Sequence, residues 1–491
     1  MTTLKPICLF LALLMTAVVL VSCAGNEKTN GTVNSLGEEN SNPKVETSTG
    51  DGLQRDTLPD DLDFNGSKVK ILYWSDVNNA EFNIGEQSGE LVNDAIYKRD
   101  SNVKNRLNVE FEWNGQPGNK SNLSSFVQYV QKSVAAGDGD VEIVATHSMV
   151  MGALAAAGLM QDLLVSEYLD FSMPWWPEDL INNSTVRGKL YFASGDISLN
   201  TLLGMIGMFF NKDMAESDFY SYVDNGTWTL DKMIAETTNV YFDQNGDSVK
   251  DKSDRYGYVT YSGMINPIFV GMGMRFVTKT PDGEIALSET YGSEKTHSLL
   301  GKIVNQLYNT NDWNYLPKID DCTEIFIEGR SLFYMASVRL TINNLADSNL
   351  LNYGILPNPK YDENQKDYHT LMANTYSMYG ICSTVTESDM HSAVIEAMAS
   401  EGYRVVTPAV FETALKLRYS NTDNDSRMFD ILRKTSIMEI GLIFSDQLGG
   451  LPSKGLFSQV DKRSTDWISY LKSQSTSINN LLKILNASFD K

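Results

Sequence analysis

An acidic stretch in the middle of the chain has the composition and spacing of a calcium-binding loop. It reads FDQNGDSVKDKSDRYGY at residues 242–258, and oxygen-bearing side chains recur at every second position before a final carboxylate. Calcium prefers about six to eight oxygen ligands from carboxylates, amides and backbone carbonyls. Counted from the first aspartate, positions 1, 3, 5, 7, 9 and 12 are Asp243, Asn245, Asp247, Val249, Asp251 and Asp254.

This order of ligands resembles the EF-hand loop, with departures at several positions. Ser248 stands at position 6, where the EF-hand has a glycine for its sharp turn, and Asp254 replaces the bidentate glutamate of position 12. The sequence has no second loop of this kind, so a sensor that opens a groove for a target is not expected. Two interpretations stay open, a structural calcium ion that stiffens the loop and a solvated acidic turn.

The first residues predict export and lipid attachment. Residues 7–21 carry no ionised side chain, and a helix of this length would span roughly 22 Å, short of the ~30 Å hydrocarbon core of a membrane. We therefore predict a secretory signal over residues 1–22. The run ends in LVSC at residues 20–23, which resembles the lipobox of bacterial lipoproteins. The resemblance implies that Cys23 becomes the lipidated first residue of the mature protein, anchored in the membrane.

Composition predicts a tether followed by a large body. Residues 23–65 are rich in Asn, Ser, Thr, Gly and Glu, so we expect a disordered tether there. The body from residue 66 onward is long enough for two lobes of ordinary domain size.

The charge balance narrows the class of partner. The chain has 62 acidic and 40 basic residues, which argues against nucleic acid, since phosphate binding needs clusters of Lys and Arg. The same excess suits a neutral or cationic solute and weakly disfavours an anionic one.

Cysteine usage gives no framework of disulfides. Cys322 and Cys382 are the cysteines of the body; we favour two free, buried thiols over one disulfide. The sequence shows no clustering of His and Cys that would indicate zinc.

Strand and helix patterns alternate from the start of the body. Strands are predicted at 68–74, 108–113 and 140–146, and helices at 91–107 and 123–137. This order implies parallel strands with helices on both faces of the sheet. Ligands of such sheets bind beyond the carboxyl ends of the strands, so the residues that follow each strand are candidates for a site.

A series of short motifs gives the chain a more specific resemblance. They are GLMQDLL (158–164), GKLYFASGD (188–196), FFNKDM (209–214), TWTLDKM (227–233), FIEGRSLFYMAS (326–337) and YGILPNPKYDENQKDYH (353–369). Their order and spacing resemble the extracellular solute-binding proteins of ABC sugar importers. The resemblance implies an α/β fold, a two-lobed clamp of the periplasmic-binding-protein type with discontinuous lobes and hinge strands. The first lobe is expected at 66–198 and 341–404, and the second lobe at 199–340 and 405–491.

The same resemblance implies a function without catalysis. We expect a monomeric, lipid-anchored protein at the extracellular face of the cytoplasmic membrane that captures a small solute, first of all an oligosaccharide, and delivers it to the permease subunits of an ABC transporter. Two alternatives stay open, a secreted carbohydrate-active enzyme that works with a pair of carboxylates and a lipoprotein that presents its ligand to a sensor kinase.

Sugar sites combine aromatic faces with carboxylate, amide and guanidinium groups. Such residues at predicted strand ends and crossings between lobes are Trp74, Asp76, Asp196, Tyr261, Arg339 and Tyr376. Each also has a purely structural interpretation, as a core lid for a tryptophan or an ion-pair partner for an arginine. For MPWWP at residues 173–177, we favour a rigid turn packed on the lobe over a stacking platform.

Overall fold

Two mixed sheets organise the fold. A computed structural model describes residues 53–345, 351–410 and 422–490, which belong to one compact unit. The predicted signal sequence, Cys23 and the tether up to residue 52 lie outside the described residues. Within the described ranges, none of the helices combines the length and apolar character that crossing a bilayer demands.

The strands and helices follow the predicted alternation closely. The strands are β1 Ser67–Trp74, β2 Val109–Gln116, β3 Ile143–His147, β4 Ile206–Asn211, β5 Tyr256–Thr260, β6 Val277–Lys279, β7 Ile285–Leu287, β8 Trp313–Tyr315, β9 Ser331–Ser337, β10 Tyr353–Leu356, β11 Thr370–Leu371, β12 Ser377–Ile381 and β13 Ser436–Ile437. The helices are α1 Leu91–Leu107, α2 Leu123–Ala136, α3 Ser148–Ala156, α4 Glu178–Ser184, α5 Leu199–Leu203, α6 Phe219–Asp224, α7 Leu230–Thr237, α8 Ile265–Gly271, α9 Glu294–Asn309, α10 Ile319–Ile327, α11 Arg339–Asn343, α12 Asp389–Glu401, α13 Asp423–Lys434, α14 Ile440–Ile443, α15 Leu451–Asp461 and α16 Trp467–Ser488.

The first sheet has the strand order β12-β3-β1-β2. Strand β1 pairs in parallel with both β2 and β3, with Ile71 opposite Trp113 on one side and Ile143 on the other. The predicted parallel pairing is therefore confirmed for these strands. Strand β12 joins antiparallel to β3, and β3 is buried along its whole length, as expected for a strand covered on both faces.

The second sheet has the strand order β10-β4-β9-β5-β8. Strand β5 pairs in parallel with β8 and β9, while β4 runs antiparallel to β9. Strand β10 pairs with β4 in this sheet, so the prediction that residues 341–404 all belong to the first lobe is wrong at β10. All four residues of β10 are buried, and this apolar strand extends the second sheet before the chain returns to the first sheet at β12.

The C-terminal segment packs on both lobes. Helix α15 packs against α8 and α9, whereas α14 packs against α3 and α4. Strand β13 pairs in parallel with β11. The assignment of residues 405–491 to the second lobe alone therefore needs correction, because this segment spans the boundary between the lobes.

The predicted tether ends earlier than residue 65. Leu58 is buried, and the Asp56 carboxylate forms an ion pair of 2.7 Å with Arg106 and accepts a hydrogen bond from the backbone N–H of Leu58. Residues 53–65 are thus part of the folded body. Their few anchoring side chains are diluted in the average composition of the segment, which is why composition alone assigned them to the tether.

The MPWWP segment forms the predicted turn packed on the first lobe. Trp175 and Trp176 are buried, and their indole N–H groups donate to the two carboxylate oxygens of Glu396 at 3.1 and 3.0 Å. Burial raises the pKa of Glu396 to about 8. The prediction for the thiols is also confirmed, since Cys322 and Cys382 are free and buried.

We predict that the free energy of unfolding depends on pH through the carboxyl group of Glu396. Because its pKa in the folded chain lies above the ordinary value of 4.5, the stability that it contributes is fully present below that value and is lost as the pH rises through about 8. We expect Glu396→Gln to gain stability relative to the wild type between about pH 5 and about pH 8, measured by urea unfolding at each pH. The exposed Glu387→Gln is the control, and a constant difference between Glu396→Gln and wild type would contradict the prediction.

Candidate functional site

A cavity of about 610 Å³ lies where the strand ends of the second sheet meet those of the first. Its size is ordinary for a small-molecule site. From the second sheet, Tyr261 follows β5, Asp320 follows β8 and Ser337 ends β9, and all three line the cavity. These strands run in parallel, so their carboxyl ends deliver side chains to a single edge.

The first sheet supplies the opposite side. Asn78 follows β1, Lys120 follows β2, and Thr375 precedes the antiparallel β12. A smaller cavity of about 150 Å³ shares these three residues and is also lined by Trp74 and Asp76. The geometry agrees with the expectation that a site lies beyond the carboxyl ends of the strands.

A third wall comes from the C-terminal segment. Leu442 in α14 and both Ser453 and Phe457 in α15 line the large cavity. Neither sheet contributes to this wall. The cavity is therefore enclosed by two lobes and a covering pair of helices.

Several buried polar atoms of the lining have no hydrogen-bond partner in the part of the chain that the structure describes. The side-chain oxygens of Asn266 and Thr375 and the Nε of Arg339 are each buried without a hydrogen bond among the described residues. Buried polar groups are almost always paired, and two acceptors with one donor can pair with a solute rich in hydroxyl groups.

Tyr261 supplies an aromatic face to the cavity. Its side chain is partly exposed, and burial raises the pKa of its phenol to about 12, so the ring stays neutral. The ring lies directly over Gly263, where an added Cβ would come 2.5 Å from the Tyr261 ring. Gly263 therefore leaves the space that the ring occupies.

Arg339 is held in place by a chain of hydrogen bonds. Its Nη2 donates to Asn200 Oδ1 at 2.6 Å, and Asn200 Nδ2 donates to Glu81 Oε2 at 2.7 Å. Glu81 and Asn200 are fully buried. The guanidinium therefore has a fixed orientation at the edge of the cavity.

Trp74 and Asp76 lie beside the large cavity and have structural partners. Trp74 is 3% exposed and its indole donates to Ser377 Oγ at 2.8 Å, so the stacking platform expected from the sequence is covered by protein. Asp76 accepts hydrogen bonds from the backbone N–H groups of Gly118 and Asn119 at 2.8 and 3.0 Å. Its carboxylate thereby fixes the loop that carries the cavity-lining Lys120.

Asp196 and Tyr376 do not line either cavity. Asp196 is held by Thr407 at 3.0 Å and by an ion pair of 3.4 Å with Arg433, and burial raises the pKa of its carboxyl to about 6. Tyr376 is 2% exposed. The structure thus brings Tyr261 and Arg339 to the large cavity and places Trp74 and Asp76 in the adjoining one, while Asp196 and Tyr376 line neither.

Sequence reasoning missed Lys120, Asn266 and Thr375. Thr375 precedes an antiparallel strand, whose amino end lies at the binding edge, and strand direction was not predicted there. Lys120 lies in a loop beyond β2, and Asn266 lies in the short helix α8 that follows β5. A search extended by several residues past each strand end would have included both.

Comparison with known proteins identifies the architecture. No family model matches the chain, and no curated protein matches its sequence. Among solved structures, the cyclic α-maltosyl-1,6-maltose binding protein from Arthrobacter globiformis has a TM-score of 0.56 at 14% identity, over 85% of this chain and 99% of that one. A cyclo/maltodextrin-binding protein complexed with maltotetraose gives 0.55 at 12% identity, over 85% and 96%.

A third structure, an ABC substrate-binding protein from Listeria monocytogenes in complex with cycloalternan, has a TM-score of 0.52 at 12% identity, over 85% of this chain and 99% of that one. The fold is periplasmic-binding-protein-like. The expected fold class, a two-lobed α/β clamp with discontinuous lobes, is confirmed.

Within this periplasmic-binding-protein-like fold, the acidic loop precedes β5. Asp243 accepts hydrogen bonds from the backbone N–H groups of Gly246 and Ser248 at 2.7 and 2.8 Å. Ser248 has φ of 60°, so position 6 has the left-handed turn for which the EF-hand uses glycine. Asp254 is fully buried and accepts from Tyr241 Oη at 3.0 Å.

The remaining predicted ligands also bond within the loop. The side chains of Asn245, Asp247 and Asp251 accept the backbone N–H two residues further on. Among the described residues, no three His, Cys, Asp or Glu side chains converge to hold a metal ion. Calcium stays a prediction, and the backbone hydrogen bonds that Asp243 and Asp247 accept are compatible with it, since ligating carboxylates are commonly hydrogen-bonded as well.

A calcium titration tests the loop. We expect calcium to raise the melting temperature of the wild type, because an ion at 100 times its dissociation constant adds about 2.7 kcal/mol. The double variant Asp243→Ala/Asp247→Ala removes two carboxylates and should lose this response. The matched control, Glu289→Ala/Glu363→Ala, removes two exposed carboxylates elsewhere and should keep it. An equal calcium response in both double variants would leave the loop as a solvated turn.

Proposed function

We propose that the protein captures a saccharide between its two lobes and passes it to the permease of an ABC importer. The observation that carries the proposal is one cavity lined from both sides by polar side chains, Asn266, Thr375 and Arg339, each with a buried polar atom that is unpaired among the described residues. Thr375 belongs to the first-sheet side, Asn266 and Arg339 to the second. A hydroxyl-rich solute can satisfy both sides together, and it favours the closed arrangement to the extent that it binds that arrangement more tightly than the open one.

The aromatic lining supports a sugar in particular. Tyr261 and Phe457 line the cavity, and aromatic rings present flat apolar faces suited to the C–H face of a pyranose. The solved structures of the same fold include proteins complexed with maltotetraose and with cycloalternan, which agrees with an oligosaccharide as the first candidate solute.

The lining favours binding over hydrolysis. Among the described residues that line the large cavity, the carboxylate is Asp320 alone, whereas most glycoside hydrolases use two carboxylates on either side of the scissile bond. The protein therefore acts as a clamp and releases its solute chemically unchanged.

Export and attachment complete the proposal. The lipobox resemblance at residues 20–23 supports a lipid on Cys23, and the segment that follows it would hold the clamp at the extracellular face of the cytoplasmic membrane. At this position a single clamp can reach a permease in the same membrane.

Binding and closure are tested together on a panel of neutral and acidic oligosaccharides. We expect calorimetry to find a ligand, solution scattering to show a smaller radius of gyration with it, and mass spectrometry to recover it intact. Tyr261→Ala and Gly263→Ala should each weaken it by about 1–2 kcal/mol, roughly 5- to 30-fold, because one removes the ring and the other displaces it. Tyr97→Ala, outside the cavity, is the control. Cleaved ligand would establish an enzyme, and binding without compaction would exclude the clamp.

Lipid attachment is tested by labelling cells with a radioactive fatty acid. We expect Cys23→Ala to lose the label, since acylation needs that thiol, while Cys8→Ala, within the predicted signal, should keep it. Label retained on Cys23→Ala would refute the lipobox interpretation.

A further inference from the structure

The large cavity has two cationic side chains that form no ion pair among the described residues. Lys120 lines it from the first-sheet side and Arg339 from the second. The chain has 62 acidic residues against 40 basic ones, so carboxylates are plentiful, and elsewhere Arg99, Arg106 and Lys212 each pair with one. Lys120 and Arg339 therefore leave two positive charges at one cavity without a carboxylate partner among the described residues.

Arg339 is short of countercharge. Burial lowers the pKa of its guanidinium, with the charge of Glu81 opposing that shift. Glu81 is itself fully buried and burial raises the pKa of its carboxyl, which reduces the negative charge that it offers. Arg339 reaches Glu81 through the neutral amide of Asn200, and its Nε has no partner among the described residues.

Lys120 lies close enough to another cation, Lys454, for the two charges to interact. Burial and the charge of Lys454 lower the pKa of Lys120, and Asp446 opposes the shift. Lys454 follows the cavity-lining Ser453 in α15, so the first lobe and the C-terminal wall present cations that repel each other. An anion between them would relieve this repulsion and favour closure.

Four carboxylates oppose this positive character: Asp320 in the lining, Asp446 beside Lys120, Asp76 in the adjoining cavity that Lys120 also lines, and Glu81 near Arg339. Asp320 is exposed and follows β8, on the side of the second sheet. The lining of the large cavity itself has two cations, Lys120 and Arg339, against the single carboxylate of Asp320, in a protein whose formal net charge is −22. The described lining is therefore positive, whereas the chain as a whole is negative.

We propose that the captured solute is an acidic saccharide, whose carboxylate binds between Arg339 and Lys120 while its ring lies against Tyr261. This inference rests on the proposed function, because it assigns the substrate class of the same cavity. It departs from the neutral solute expected from the overall charge, since the whole-chain balance does not report the charges that meet at one cavity.

Matched ligands that differ only in charge test the proposal. Calorimetry would compare uronic-acid trisaccharides of galacturonate, glucuronate and mannuronate with their methyl esters and with maltotriose. We expect at least one acid to bind at least about tenfold more tightly than its own ester, with an affinity that falls as salt screens the charges. Esters that bind as tightly as the acids would overturn the proposal.

Substitutions of Arg339 and Lys120 test whether these two side chains cause the preference for the acid over its ester. Arg339→Gln should weaken the acid by about 30-fold and Lys120→Gln by about tenfold, and each should weaken the ester several-fold less than it weakens the acid. Lys120→Arg should retain acid binding, and the exposed Lys366→Gln should match the wild type. Acid affinity insensitive to both cation substitutions would also overturn the proposal.

These experiments distinguish the acidic saccharide as substrate from the more general proposal of a saccharide-binding clamp. Binding of neutral trisaccharides alone would refute the acidic substrate and leave the clamp for a saccharide intact. Binding of no saccharide in either set would refute both.

Discussion

Parallel pairing forces the carboxyl ends of neighbouring strands to one edge of a sheet, and the site depends on that constraint. In the first sheet β1, β2 and β3 end at the edge where Asn78 and Lys120 follow. In the second sheet β5, β8 and β9 end where Tyr261, Asp320 and Ser337 follow. The cavity exists because both edges border it, and its lining is drawn from segments far apart in sequence.

The crossings between the lobes are tied by a buried polar chain. Asn200 follows the crossing toward the second sheet, and Arg339 follows β9 on the later part of the chain. The asparagine amide joins Arg339 to Glu81, so a side chain at the cavity is hydrogen-bonded to the segment that connects the lobes. Glu81, Asn200 and Arg339 cannot move independently without losing buried hydrogen bonds. A solute that binds Arg339 would therefore also affect the position of the segment that connects the lobes.

Much of the architecture could be predicted from sequence, because periodic burial leaves a local signal. Helix α1 has the predicted bounds, 91–107, and the strands of the first sheet lie within a few residues of the prediction. The boundaries of the lobes were predicted wrongly where tertiary contacts determine which sheet a strand joins. Strand β10 is apolar in either lobe, and only its pairing with β4 assigns it to the second sheet.

The site was harder to predict than the fold, since exposure is not a local property. Trp74 and Tyr376 have residue types suited to sugar binding, yet packing from distant segments buries them, and Asp196 is held by Thr407 and Arg433 instead. Lys120 gives no signal by its type, and its importance comes from the loop that Asp76 fixes. Strand direction and burial together were needed to separate lining residues from supporting ones.

The third wall of the cavity has an evolutionary consequence. Leu442, Ser453 and Phe457 belong to short helices outside both sheets, so substitutions there alter the shape and chemistry of the cavity while the strand pairing that defines the lobes is preserved. New specificities can therefore arise from substitutions at the few positions of this segment that face the cavity, without disturbing the pairing of the strands.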